Sequence, residues 1–167
     1  HRDLHSFPTR RSSDLYGIGA IGMKTAENYG TLFRTAQILG ADFIFLIGTR
    51  FKIQDSDTMK SYRHVPLFLY DSFEDFNKHR PYSCPLIGVE IVKEAIPLPL
   101  FKHPKRACYL LGAEDTGIPK YVLEKCQDTV KLPGSRSLNV ATAGSIVMYD
   151  RYNRTGAPWY LNPSSNG

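Results

Sequence analysis

DTVKLPGSRSLNVATAGSIVMYDRY, residues 128–152, is the stretch on which the reading of this chain turns. It opens as a short strand, Thr129 to Leu132, that breaks at Pro133-Gly134. A tight polar loop follows, Ser135-Arg136-Ser137, and then a helix that begins at Leu138-Asn139 and runs to about Asn153. Pro, Gly and Ser stop the strand, and Ser137 or Asn139 can cap the helix. The first half of that helix is unusual, because Ala141, Ala143, Gly144 and Ser145 are all small. A glycine inside a helix costs roughly 1 kcal/mol against alanine, so another surface is expected to approach closely there. The second half, Ile146 to Tyr149, is bulky and core-like. A bare loop leading into a helix with room beside its first turns fits a ligand site; the spacing alone fits an ordinary strand-turn-helix as well.

The rest of the chain bounds the problem. Its 167 residues suit one domain with a real core. Hydrophobic residues make up 42% and charged residues 22%, the balance of a globular protein in water. No apolar run is long enough to span a membrane, and the start lacks a signal-peptide layout. Cys84, Cys108 and Cys126 are widely spaced, with no C-x-x-C pair and no Cys/His cluster. Neither a disulfide framework nor a zinc site is indicated; buried free thiols in a reducing cytoplasm are expected.

His1 to Leu15, HRDLHSFPTRRSSDL, lacks periodicity and an initiating Met. It reads as a translated sequencing adapter fused upstream of a truncated gene, a non-native leader outside the fold. The expected organisation is this leader at 1–15, a single domain at 16–154 and a flexible tail at 155–167. The residues after Leu15 hold 18 basic and 14 acidic side chains, a mild excess that suits a polyanionic partner but does not demand one.

Gly17, Gly19 and Gly22 spell G-x-G-x-x-G, and Asp42 lies twenty residues beyond Gly22. Taken literally this is a dinucleotide fingerprint and would make the protein an NAD-binding oxidoreductase. The context is wrong: no strand from the fold precedes the glycines, and Asp42 comes before the apolar run Phe43 to Ile47 rather than after it. Gly17 to Gly22 is expected to be the first strand itself, with glycines for close packing.

Glu27 to Gly40 is a helix, with Asn28 as its cap and Gly40 as its stop. Leu32, Phe33, Ala36 and Leu39 share one face, and Arg34 falls on the other, beside the open space left by Gly30. Phe43 to Gly48 is a buried strand. Thr49 to His64 interleaves Arg50, Lys52, Lys60, Arg63 and His64 with Phe51 and Tyr62, a pattern that fits phosphate and base contacts or an ordinary solvated loop. Strands follow at Val65 to Tyr70 and Pro85 to Val92, with a short Ser72-capped helix to His79 between them. Ile96 to Lys105 is a Pro-rich connection. Arg106 to Pro119, RACYLLGAEDTGIP, gives a buried strand ending at Gly112, and Pro119 opens a helix to Cys126. A strand that stops in a glycine loop lets backbone groups meet a ligand edge directly. Strands and helices alternate throughout, which argues an α/β fold with a mostly parallel sheet and flanking helices.

Three ordered segments carry a resemblance. Asn28, Gly30 and Arg34 form N-x-G-x-x-x-R; Gly112, Glu114 and Gly117 form L-x-G-x-E-x-x-G-h; and L-P-G-S-R-S-L-N-V-A-T-A-G-S-I-V-M-Y-D follows from Leu132. Together they resemble the three motifs of the SpoU-type RNA 2′-O-ribose methyltransferases of the SPOUT superfamily. The resemblance implies a C-terminal deep trefoil knot, S-adenosylmethionine as cofactor, an RNA substrate (tRNA rather than rRNA, from the minimal length) and a homodimer without metal. It assigns cofactor contacts to Val89, Gly112, Glu114, Leu132, Ser137 and Leu138. Catalytic roles go to Arg34, Asn28 and Asn139, and substrate contacts to Arg34, Arg63 and Arg136. In the family the counterpart of Arg34 lies near the partner's cofactor site, and the small-residue helix would suit that packing. The loop between Pro133 and Ser137 is shorter than is common there, and S-L-N-V-A stands where S-L-N-V-S is frequent.

Ribose methylation requires a donor in line with the 2′-oxygen and help removing a weakly acidic proton. Arginine keeps its proton in proteins, so Arg34 would act electrostatically on the developing alkoxide. A catalytically silent RNA-binding relative is the remaining alternative, should the short loop abolish cofactor binding.

Overall fold

The computed structural model describes residues 14–53 and 65–156. Its first strand, β1 (Leu15–Ile21), lies near the middle of a seven-stranded sheet in which all pairings are parallel. The strands are β2 (Phe43–Ile47), β3 (Leu67–Tyr70), β4 (Leu86–Val89), β5 (Ile96–Pro97), β6 (Arg106–Leu111) and β7 (Asp128–Lys131), in the spatial order β3-β2-β1-β6-β4-β7-β5. Helices α1 (Ala26–Ile38), α2 (Phe73–His79), α3 (Lys120–Leu123) and α4 (Val140–Thr155) connect or follow them, and a 3-10 turn spans Leu98–Leu100.

The central strands are unbroken apolar runs because helices cover both faces of the sheet. Alternate residues sort between two cores. Tyr16, Ile18, Ala20, Ile44, Leu46, Tyr109 and Leu111 pack with α1 and α4. Phe43, Phe45, Ile47, Cys108 and Leu110 pack with α2 and α3. The glycines of β1 are packing glycines: in register with Phe43 and Phe45, Gly17 and Gly19 leave the space that those two rings fill, and a Cβ at either would overlap them. The dinucleotide reading fails here, because Gly17 and Gly19 lie inside the strand and only Gly22, at φ +72°, falls in the turn before α1 where a phosphate could be cradled.

Several boundaries differ from the sequence expectation. Leu15, assigned above to the leader, begins β1, and its N–H donates to the Lys105 carbonyl at 3.0 Å. Thr155 still belongs to α4. Thr25, not Asn28, caps α1: its hydroxyl accepts from the Asn28 N–H, and Asn28 sits in the first turn. Gly40 does follow the helix, at φ +74°, where a side chain would be strained. The Pro-rich connection hides β5, which pairs Ile96 with Val130 and Pro97 with Lys131 at the sheet edge, where a strand proline is tolerated.

Candidate active site

A pocket opens at the carboxyl ends of β4, β6 and β7, the end of a parallel sheet where ligands bind. All six residues expected to contact a cofactor line it: Val89, Gly112, Glu114, Leu132, Ser137 and Leu138. Arg136 lines it too. The floor is apolar, from Leu111, Leu132, Val140 and the small Ala143.

The Gly112 loop owes its shape to close approach. Ala113 and Gly117 exchange backbone hydrogen bonds of 3.3 and 2.9 Å, folding the loop back on itself. A Cβ on Gly112 would overlap the Gly117 backbone. Gly117 has φ +67°, a conformation open to glycine without strain. Glu90 was missed in the sequence, although it is the one acid in the run PLIGVEIV. The strand ends at Val89, so Glu90 turns into the pocket wall, and its carboxylate accepts from Ile118 N (2.9 Å) and Ile91 N (3.0 Å).

The three motifs meet in one chain of two amides and a carboxylate. Asn139 caps α4, and its Oδ1 accepts from the N–H groups of Ala141 (2.9 Å) and Thr142 (3.2 Å). That leaves Nδ2 to donate to Asn28 Oδ1 at 2.9 Å, and Asn28 Nδ2 then donates to Glu114 Oε1 at 2.6 Å. Each amide's orientation follows from its neighbour's. Glu114 also accepts from the Lys24 N–H at 3.1 Å. Beside it, Asp115 meets Arg50 at 3.0 Å and Lys24 at 3.2 Å. The hydrogen bonds from Arg50 and then Lys24 hold the Asp115 carboxyl down to about 2.

Arg34 stands apart. It is exposed on the outer face of α1 and does not line the pocket of its own chain. It lies six residues past Asn28, about 9 Å along the helix axis. One turn earlier, a Cβ on Gly30 would meet open space. Arg63 falls outside the described residues. The small residues of α4 meet their own chain: a Cβ on Gly144 would sit 2.6 Å from Leu32 Cδ1 and 2.8 Å from Leu111 Cδ1. The close approach at Gly144 is therefore that of α1 and β6 of the same chain. Ser145 adds a hydroxyl contact to Thr35 at 3.1 Å.

A second polar cluster, absent from the sequence reading, lies at the opposite end of the sheet. His103 Nε2 meets Asp150 Oδ2 at 2.7 Å, and its Nδ1 meets the Tyr109 hydroxyl at 2.6 Å. The carboxylate fixes the tautomer: Nε2–H donates, and Nδ1 accepts from Tyr109. Arg151, only 4% exposed, donates to Tyr109 Oη (3.0 Å), the Pro104 carbonyl (2.6 Å) and the Lys105 carbonyl (2.9 Å). It also lies over the Tyr16 ring, 4.9 Å from its centroid. Arg154 pairs with Asp150 from one turn later. Burial pushes the His103 pKa down, against the pull of Asp150. No spacing rule links these residues; only the crossing of α4 over the start of β6 does.

Comparison with known proteins agrees with this geometry. The profile of the SpoU rRNA methylase family matches residues 18–149. A tRNA (cytidine(34)-2′-O)-methyltransferase of Ancylobacter novellus is 26% identical over 138 residues, 78% of this chain and 87% of that protein. A solved structure described as giving insights into 2-OH methylation of C/U34 on tRNA superposes with a TM-score of 0.76 at 26% identity, covering 86% of this chain and 97% of the other. The SpoU methyltransferase AviRb from Streptomyces viridochromogenes, solved with its cofactor AdoMet, shares the fold at a TM-score of 0.73 and 21% identity, over 92% of this chain and 64% of its own. Profile, relatives and fold coincide on the segment that carries the three motifs, and the chain belongs to the SpoU rRNA methylase family.

Proposed function

We propose that this protein methylates a ribose 2′-hydroxyl in tRNA, with S-adenosylmethionine held in the pocket between the Gly112 loop and the Leu132–Leu138 segment. The observation that carries this reading is the Asn139–Asn28–Glu114 chain, which draws three distant segments to one rim. The residues present fit the cofactor: an apolar floor for the adenine, a loop with no Cβ at Gly112, carboxylates at Glu90 and Glu114, and a guanidinium at Arg136. S-Adenosylmethionine, when bound, supplies a methyl group on a sulfonium. The chain's own residues do the rest. Asn139 and Asn28 hold the starts of α4 and α1 together, and Glu114 fixes the loop between them. The preference for tRNA is supported by relatives whose descriptions name position 34 of tRNA.

The reading includes a homodimer, because Arg34 lies outside the pocket of its own chain. Leu138, Ile146 and Tyr149 are 42, 40 and 50% exposed, and Ile38 on the adjoining α1 is 69% exposed. Ile38 belongs to α1, Ile146 and Tyr149 to α4, and Leu138 to the pocket lining, and together they suit a partner surface that brings a second Arg34 to the pocket. The knot formed by the segment after β7 and a cytoplasmic location belong to the same reading.

Tritium transfer from labelled S-adenosylmethionine to bulk tRNA tests it. Arg34→Ala is expected to lower the rate on the order of a hundredfold, with cofactor affinity unchanged within about twofold. Full activity in that variant removes Arg34 from the mechanism. RNA binding without transfer by the unmodified protein leaves only the silent RNA-binding relative.

A further inference from the structure

Three charged side chains line the pocket: Glu90, Glu114 and Arg136. Glu114 is committed to the rim, through Asn28 and the Lys24 N–H. Glu90 sits deeper in the architecture, directly after β4. Its oxygens each accept one backbone N–H, from Ile91 and from Ile118. A carboxylate oxygen has a second acceptor site, so each keeps one free. The room for this carboxylate is made by Gly117, where a Cβ would stand 2.5 Å from Glu90 Oε2. Gly112 in turn gives room to the Gly117 backbone. Two glycines are thus spent on seating one acid beside an apolar floor. A loop clamp alone would need only a neutral acceptor.

We propose that Glu90 makes this pocket charge-selective, holding the cationic methyl donor more tightly than the neutral product left after transfer. The proposal rests on the pocket being the S-adenosylmethionine site. That cofactor carries a sulfonium, an ammonium and a carboxylate, a net charge of +1. Its product, S-adenosylhomocysteine, is a thioether with net charge zero. Arg136 offers the counter-charge for the amino-acid carboxylate common to both. Glu90 leaves the wall one negative charge in excess, which favours only the ligand with the additional positive charge. Product leaves more easily for the same reason. Glu90 acts as a specificity-determining residue, and its clamp on Ile118 positions the loop.

Isothermal titration of the full chain with S-adenosylmethionine and, separately, S-adenosylhomocysteine tests this. The unmodified protein should bind the donor roughly five- to tenfold more tightly than the product, the scale of one partly screened charge contact. Glu90→Gln should erase most of that ratio by weakening the donor, with the product's affinity changed less than about twofold. Glu90→Asp, which retains the charge, should restore much of it. Equal weakening of both ligands in Glu90→Gln overturns the proposal and leaves a loop clamp. If that variant does not fold, the unmodified protein decides with sinefungin, which carries an ammonium in place of the sulfonium. Sinefungin binding like the donor supports the proposal, and binding like the neutral product overturns it. Failure of the unmodified protein to bind any of the three ligands would instead remove the cofactor reading itself.

Discussion

The two ends of the sheet are both polar, and they are built in opposite ways. At the carboxyl end, Asn28, Glu114 and Asn139 are joined by single hydrogen bonds between loops and helix starts, open to water. At the amino end, His103, Tyr109, Asp150 and Arg151 are interlocked under α4, with Arg151 serving three acceptors at once. Water can replace the first set's partners at little cost; it has far less access to the second set, where the Arg151 guanidinium and the His103 ring are almost wholly buried and only Asp150 is partly exposed. The difference teaches where function and stability were placed. Half-solvated amides can exchange protein partners for ligand, whereas a buried guanidinium whose acceptors have no substitute can only hold the fold.

That contrast can be broken by experiment. The largest effect is expected at the buried end. Arg151→Met should lower unfolding free energy by about 3 kcal/mol, because two carbonyls and a phenol lose their donor without gaining water. Urea denaturation reads this, and a loss under 1 kcal/mol would mean that the cluster is not structural. At the pocket end the consequence should fall on binding instead. Gly112→Ala drives a methyl into the Gly117 backbone, which cannot rotate away, so affinity for S-adenosylmethionine should drop at least about tenfold with a smaller change in unfolding midpoint. Asn28→Ala sharpens the comparison further. It removes two exposed hydrogen bonds, should cost only about 1 kcal/mol in stability, and should slow methyl transfer about tenfold. A large stability loss there would place the amide chain with the structural end.

The smallest effect is a pH slope. Burial lowers the His103 pKa in the folded state, so the unfolded chain binds its proton more readily. His103 therefore contributes stability above its unfolded value of about 6.5, and that contribution is lost as pH falls below it. Unfolding midpoints between about pH 7 and 5 should decline less steeply in His103→Gln than in the unmodified protein. Identical slopes would assign the acid sensitivity to other groups.

The unequal legibility of the two ends follows from the same contrast. Asn139 could be read as a cap because capping is a local rule, and Gly112 as a loop glycine because it ends an apolar strand. Asn28 was placed at the right helix start in the wrong role, since Thr25 fits the cap equally well and only the distant Glu114 decides between them. Glu90 was hidden by the assumption that PLIGVEIV is one strand, whereas pairing with β7 ends at Val89. β5 was masked by its proline. The His103 cluster has no local signal, because residues more than forty apart meet only when α4 lies across the start of β6. Arg34 was picked out by spacing and resemblance, and a single chain does not bring it to the pocket.

The position of β1 has a consequence for how the chain is made. Leu15 pairs with Arg106, and Ala20 with Leu111, so the middle of the sheet must wait for residues synthesised long after its first strand. Until then β1 and β2 would present bare apolar edges and faces to the cell. Sequence-distant pairing of this kind slows folding and invites holding by chaperones on the ribosome. The pocket comes later still, since Asn139 must emerge before the starts of α1 and α4 can be tied. A nascent protein of this design is blind to a ligand in this pocket until Asn139 has left the exit tunnel.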